Sequence, residues 1–144
     1  VSTKPENQFI SGIHAHLKDV YHEKMNNPFR SGTADVWYSG LNGDVWIEYK
    51  YIPLIPKSAH IRPAISERQR AWLLDRFTEG RTVYVVVGCP EGGVVIAPQH
   101  FGSAYGPEEF RQRLLSRKQL AEWIREHTGQ SPCRTRSQSL LQRK

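Results

Sequence analysis

The side chains between Asp35 and Lys50 have the types and spacing to act on a phosphate. The run Val45-Trp46-Ile47-Glu48-Tyr49-Lys50 reads as an extended strand. Residues two apart on a strand share a face, so Glu48 and Lys50 project together while Ile47 and Tyr49 turn away. Asp35 opens an upstream β-rich run, Ala34 to Tyr38, and Ser39-Gly40-Leu41-Asn42-Gly43 connects the two with the Asn-Gly signal of a hairpin. That connection brings the Asp35 carboxylate beside Glu48 across the ladder. Two carboxylates next to a lysine suit a hard divalent ion such as magnesium or manganese, with water filling the remaining positions. The lysine would orient or deprotonate a water, and the ion would stabilise charge developing on a phosphate. The chemistry implied is phosphodiester hydrolysis. On spacing alone an acid and a lysine on one strand face are more simply a solvated pair of little energetic consequence, so the surroundings decide.

Those surroundings read as an alternation of helices and strands. Residues 4 to 24 are expected to form one helix, because Phe9, Ile13, Leu17 and Val20 or Tyr21 recur at helical spacing. Thr3 and Glu6 make a capping box around Pro5. Asn26 to Gly32 is a loop, and the hairpin follows. Ile52 to Ile65, with Pro53, Pro56 and Pro63, is an extended loop, since each proline removes an amide donor. Ser66 opens a second helix, with Gln69 three positions later and Gly80 as its stop. Thr82 to Gly88 and Val94 to Ala97 are strands, the first buried on both faces. Pro107 to Leu115 and Arg117 to His127 are two closing helices, the last capped by Ser116. The order α, β, β, loop, α, β, β, α, α gives an α/β fold with a small mixed central sheet flanked by helices. The strand after the crossover helix lies parallel to a hairpin strand.

Composition bounds the function classes. The chain has 144 residues, 38% hydrophobic and 24% charged, the proportions of a single soluble domain with a core of its own. Cys89 and Cys133 are too few for a four-thiolate zinc site or an iron–sulfur cluster, and a reducing, cytoplasmic compartment is expected. No apolar run reaches membrane-spanning length. Of the net charge of +6, residues 128 to 144 carry +4 through Arg134, Arg136, Arg143 and Lys144, with no acid; residues 1 to 127 hold 16 basic and 14 acidic side chains. The expected organisation is a folded domain over 1–127 and a basic tail over 128–144. That tail is either a polyanion-attracting arm or a solubilising terminus.

With these elements in place the chain resembles the PD-(D/E)XK nuclease superfamily with its restriction-endonuclease-like core, and within it the small stand-alone VRR-Nuc domains. The resemblance runs from Glu6 to Ala97. It rests on Glu6 in the first helix, Gly32-Thr33-Ala34-Asp35, Glu48-Tyr49-Lys50, Ser66-Glu67-Arg68-Gln69-Arg70-Ala71-Trp72-Leu73, and Gly80 before Val83-Tyr84-Val85-Val86-Val87. Ala34 stands where that family often has proline. The resemblance implies that Asp35, Glu48 and the backbone carbonyl of Tyr49 bind the metal and that Lys50 positions the attacking water. It implies further that Glu6 completes the metal's surroundings and that Gln69 supports the site from the second helix. Glu6 and Gln69 are also third residues of capping boxes and have that simpler role open to them.

Around this centre, Lys57, His60 and Arg62 in the proline-rich loop and Arg68 and Arg70 on the second helix are candidate contacts to nucleic-acid phosphates, with ordinary solvated charge as the alternative. The histidines lack zinc-site spacing. Trp37 and Trp46 face each other across the hairpin and most simply pack the fold, although an exposed one could stack on a base. The function expected is a magnesium- or manganese-dependent DNA endonuclease selective for branched DNA, Holliday junctions or flaps. It is expected to act as a homodimer, with no membrane partner. A phage-encoded role in replication, recombination or packaging accompanies the resemblance. The competing classes are a non-catalytic nucleic-acid-binding module of the same fold and a type II restriction enzyme; a Cas4-like exonuclease is excluded by the cysteine count. Nothing in the sequence reads a 2′-hydroxyl, so DNA and RNA are not separated.

Overall fold

The computed structural model describes residues 4–25 and 32–129. Its centre is a single sheet of β1 (Tyr21–Lys24), β2 (Val36–Gly40), β3 (Gly43–Tyr51), β4 (Val83–Cys89) and β5 (Gly92–Ile96), hydrogen-bonded in that order. Neighbours are antiparallel except β3 and β4, which run parallel and are joined through the proline-rich loop and α2 (Glu67–Thr78). α1 (Pro5–His14), α3 (Pro107–Gln112) and α4 (Arg117–Thr128) complete the α/β arrangement.

The sheet separates two cores. Val36, Tyr38, Val45, Ile47 and Tyr49 pack with Phe9 and Ile13 of α1 and Leu120 and Ile124 of α4. Val83, Val85 and Val87 pack with Leu73 of α2, Phe110 of α3 and Ile55 and Ile61 of the proline-rich loop. β3 therefore sends Val45, Ile47 and Tyr49 to the α1 and α4 side and Trp46, Glu48 and Lys50 to the α2 side, as strand alternation requires. α2 and α4 open on complete capping boxes, Ser66 with Gln69 and Ser116 with Gln119, and α4 stops at Gly129 in the left-handed conformation.

Several boundaries differ from the sequence expectation. The first helix ends at His14, not at residue 24, and residues 21–24 form the edge strand β1, paired with β2 from Tyr21↔Ser39 to Lys24↔Val36. Leu17 and Val20 are buried at 0% and 3% exposure, so the apolar spacing does mark core residues; they reach that core from a turn. β1 is polar and mostly exposed, and its strand conformation comes from pairing with β2. The helix cap is Lys4, with no side-chain cap bond, so Glu6 is the second helical residue; Thr3 lies outside the described residues. The hairpin turn is tighter than the five-residue connection expected, with β2 running to Gly40 and β3 starting at Gly43. Gly40 is required there, because a Cβ would sit 2.3 Å from the Thr128 carbonyl oxygen. α3 ends at Gln112, freeing Leu115 to exchange backbone hydrogen bonds with Gly93. α4 runs one residue past the expected domain boundary, and beyond Gly129 the basic tail lies outside the described residues, as does most of the loop 26–32.

The turn between α1 and β1 is locked by a cation. Arg125, buried on α4, donates to both carboxylate oxygens of Asp19 at 2.8 Å, to Glu122 at 2.7 Å and to the His16 carbonyl. Removing one side of such a partly buried pair strands the other. Arg125→Ala is expected to lower unfolding stability by about 3 kcal/mol at neutral pH, measured by urea denaturation. Hydrogen bonding from Arg125 holds the Asp19 pKa below its ordinary 3.8. The contribution is thus complete above that value, and the gap between wild type and variant should close as pH falls below it.

Candidate active site

β3 is hydrogen-bonded to β2 on one side only as far as the pair Val36↔Ile47. Extending that register places Asp35, the residue before β2, opposite Glu48. Asp35 Oδ2 there accepts the Tyr49 N–H at 2.8 Å. A residue's N–H and C=O point to the same edge of a strand, so the Tyr49 carbonyl is turned toward Asp35 as well. The Tyr49 side chain points the other way, its hydroxyl 2.6 Å from that of Tyr38, which in turn meets His14 Nε2 at 2.8 Å. This buried line of polar groups fixes the strand from beneath.

Glu48 is only 2% exposed. Its Oε2 accepts from Gln69 Nε2 at 2.9 Å and pairs with Lys50 Nζ at 3.2 Å, while Oε1 is buried with no hydrogen-bond partner among the described residues. Lys50 Nζ donates to Gln69 Oε1 at 2.9 Å, and the same oxygen accepts the Ser66 N–H at 3.0 Å. The two roles open to Gln69 are thus filled at once: its Oε1 and backbone close the capping box of α2, and its amide spans Glu48 and Lys50.

The electrostatics record three acids in one place. Burial, then the neighbouring Asp35 charge, pushes Glu48 up to about 8 despite Lys50. Burial raises Asp35, against the opposing Tyr49 N–H and Lys50. Glu6 is raised by burial and then by the Asp35 charge. Lys24, on β1, lowers both Asp35 and Glu6 and donates to Asn7 Oδ1 at 2.7 Å. Sequence reading missed Lys24 because it lies inside the segment expected to be helix. The pairing of β1 with β2 brings it to the site.

A divalent cation fits this donor set. Two carboxylates meet here, the Asp35 charge raising Glu48, and Glu48 Oε1, without a partner among the described residues, is an acceptor that a cation would satisfy. Among the described residues no group of three or more His, Cys, Asp and Glu side chains is arranged to hold a metal; the set here is two carboxylates and a backbone carbonyl. Cavities of about 280 and 390 Å³ flank Arg81 at the far ends of β3 and β4 and touch none of these groups.

The outer candidates divide. Lys57 and His60 are exposed on the proline-rich loop. Arg62 donates to the Gly102 carbonyl at 2.7 Å, and Arg70 packs against Gly102, where a Cβ would meet its Nη2 at 2.7 Å. Both arginines therefore bind the protein's own 102 segment, which the Ile61–Tyr105 backbone bridge also holds. Arg68 is exposed near the start of α2, and its backbone carbonyl packs against Gly32, whose φ of +100° and lack of Cβ permit the approach.

No helix among the described residues is long and apolar enough to cross a membrane. No family model and no curated protein matches the chain. Among solved structures, it is similar to Archaeoglobus fulgidus Hjc, a Holliday junction resolvase from an archaeal hyperthermophile. The superposition has a TM-score of 0.54 and covers 85% of this chain and 99% of that one, at 13% sequence identity. At that identity the likeness is one of fold: the chain has a resolvase-like nuclease fold, a mixed α/β sheet flanked by helices.

Proposed function

We propose that this protein is a divalent-metal-dependent DNA endonuclease that hydrolyses phosphodiester bonds in branched DNA, Holliday junctions or flaps, and that it is of the VRR-Nuc kind. One observation carries the reading: Gln69 holds Glu48 and Lys50 together beside Asp35, and the buried Glu48 Oε1 lacks a partner. A surface ion pair has no use for a buried, unmet carboxylate oxygen. The fold likeness to a junction resolvase supports the choice of branched DNA. A homodimer placing two sites on a two-fold junction agrees with that choice.

In this reading Asp35, Glu48 and the Tyr49 carbonyl would hold magnesium or manganese, which when bound would supply charge stabilisation at the phosphate oxygens. Lys50, fixed by Gln69 and Glu48, presents its remaining ammonium protons to the attacking water and aligns it. Gln69 divides its amide between the paired Lys50 and Glu48 and fixes both. Glu6, raised by burial and then by Asp35, would accept a hydrogen bond or a proton from a water at the site. Lys24, Lys57 and Arg68 offer positive charge, and His60 a ring N–H donor, to the strand being cut. Arg62 and Arg70 act through the segment they grip.

Asp35→Ala and Lys50→Ala are each expected to reduce cleavage of labelled four-way junctions and flaps in magnesium by roughly a hundredfold or more, with unchanged circular dichroism. Wild-type turnover in either variant overturns the assignment. Tight binding without cutting in magnesium or manganese by the wild type would instead mark a binding module.

The raised Glu48 pKa gives a test independent of activity. A group lifted from 4.5 to about 8 by folding favours the fold below 4.5 and loses that contribution as pH rises toward 8. In EDTA the melting temperature should therefore fall over this window, and Glu48→Gln should flatten the fall. Magnesium should raise the wild-type value more at pH 8 than at pH 6 and leave Asp35→Ala unmoved.

The four basic residues beyond Gly129 are proposed to contact phosphates. Removing residues 130–144 leaves buried Thr128 and the Gly129 cap in place. It is expected to flatten the slope of log affinity against log salt by up to about 3 to 4. An unchanged slope shows the tail to be a bystander.

A further inference from the structure

The sheet face that carries the acid pair also carries a row of aromatic rings. Trp37 and Trp46 are directly paired in the β2–β3 register, one same-face step along from Asp35 and Glu48. Such a step is about 6.8 Å along an antiparallel strand. Trp37 stacks on Trp46 with centroids 5.8 Å apart and planes 22° from parallel. Trp46 meets Trp72 of α2 edge-on at 5.5 Å, and the Arg76 guanidinium lies 5.5 Å over the Trp72 ring. At the other end Tyr21 of β1 closes on Trp37 at 5.6 Å and 71°.

Core packing accounts for the inner end of this row and not for the outer end. Tyr21 is 59% exposed, whereas Tyr38 and Tyr49 on the opposite face are fully buried. Trp37 is half-buried, and its Nε1 is a buried donor with no hydrogen-bond partner among the described residues. Glu23, directly opposite Trp37, and Asp44, two residues before Trp46, flank the row with negative charge. That charge repels phosphate, so a nucleic acid meeting this surface presents its bases there and keeps its backbone elsewhere.

Resting on the nuclease reading above, we propose that this row seats an unpaired nucleotide of the DNA substrate. The base stacks on the open side of Tyr21, with Trp37 and Trp46 as its rigid backing, while the phosphate to be cut lies at the acid pair. The row and the acid pair share one sheet face, with Trp37 and Trp46 a single strand step from Asp35 and Glu48 and Tyr21, opposite Ser39, one step further along on the neighbouring strand, which argues for substrate as the occupant. Unpaired bases are what a flap offers and a continuous duplex withholds. The row therefore selects structured DNA without reading sequence, since every base has a face to stack.

The test uses the full chain with Asp35→Ala to prevent cutting, and flap and four-way junction DNA carrying 2-aminopurine at successive positions around the branch. Stacking on the row is expected to quench the probe at one or two adjacent positions. Adding Tyr21→Ala should abolish that quench and weaken flap binding about tenfold, while Tyr21→Phe and Tyr21→Trp retain both. Circular dichroism checks that each variant folds. If the protein with its acid pair intact cuts DNA but the probe stays bright everywhere, or Tyr21→Ala binds as well as its parent, the stacking proposal is overturned and the nuclease reading stands. If Tyr21→Ala converts a dimer into a monomer in sedimentation, the row belongs to a second copy of the chain and the proposal is equally overturned. Failure of the wild type to cut any of these DNAs in magnesium or manganese overturns the nuclease reading itself.

Discussion

Burying the Glu48 carboxylate in the middle strand of a sheet costs several kcal/mol, and the arrangement around the site answers that cost. Lys50 and Gln69 approach one oxygen; the other has no partner among the described residues. Asp35 adds a second negative charge in place of relief. An arrangement of this kind is poor for stability and good for holding a cation, and it needs a rigid frame to persist. β3 provides that frame, because it is paired on both sides and its other face is anchored by Val45, Ile47 and Tyr49 in the α1 and α4 core.

The frame was largely legible in the sequence because its signals are local. Alternation along Val45 to Lys50 predicts which side chains share a face, and both serine–glutamine capping boxes are present in the structure. The same is true of the crossover that makes β4 parallel to β3. What escaped is what depends on distant partners. Tyr21 to Lys24 carries no strand signal and becomes a strand because β2 offers it an edge. Leu17 and Val20 continue a helical spacing by coincidence, since a turn stapled by Arg125 delivers them to the same core that a longer helix would reach. The error hid Lys24 from the list of groups near the acids.

The site itself was legible as a set of residue types and not as a geometry. Placing Asp35 opposite Glu48 follows from the hairpin, but the Tyr49 N–H to Asp35 bond depends on β2 ending one residue short of it. For Gln69 the sequence left a choice between capping a helix and serving the site, and the structure shows one side chain making both sets of bonds. Arg62 and Arg70, equally plausible as phosphate contacts by charge, turn out to hold the segment around Gly102.

The parallel pairing of β3 with β4 has a consequence for how the molecule comes into being. Such a pair cannot close until the whole crossover, with α2 inside it, has been made, and non-local pairings of this kind form slowly. Asp35, Glu48 and Lys50 leave the ribosome well before Gln69 does. A nascent chain that has only its hairpin holds the acids and the lysine without the amide that bonds to both Glu48 and Lys50, so the cluster is completed as a late event of folding.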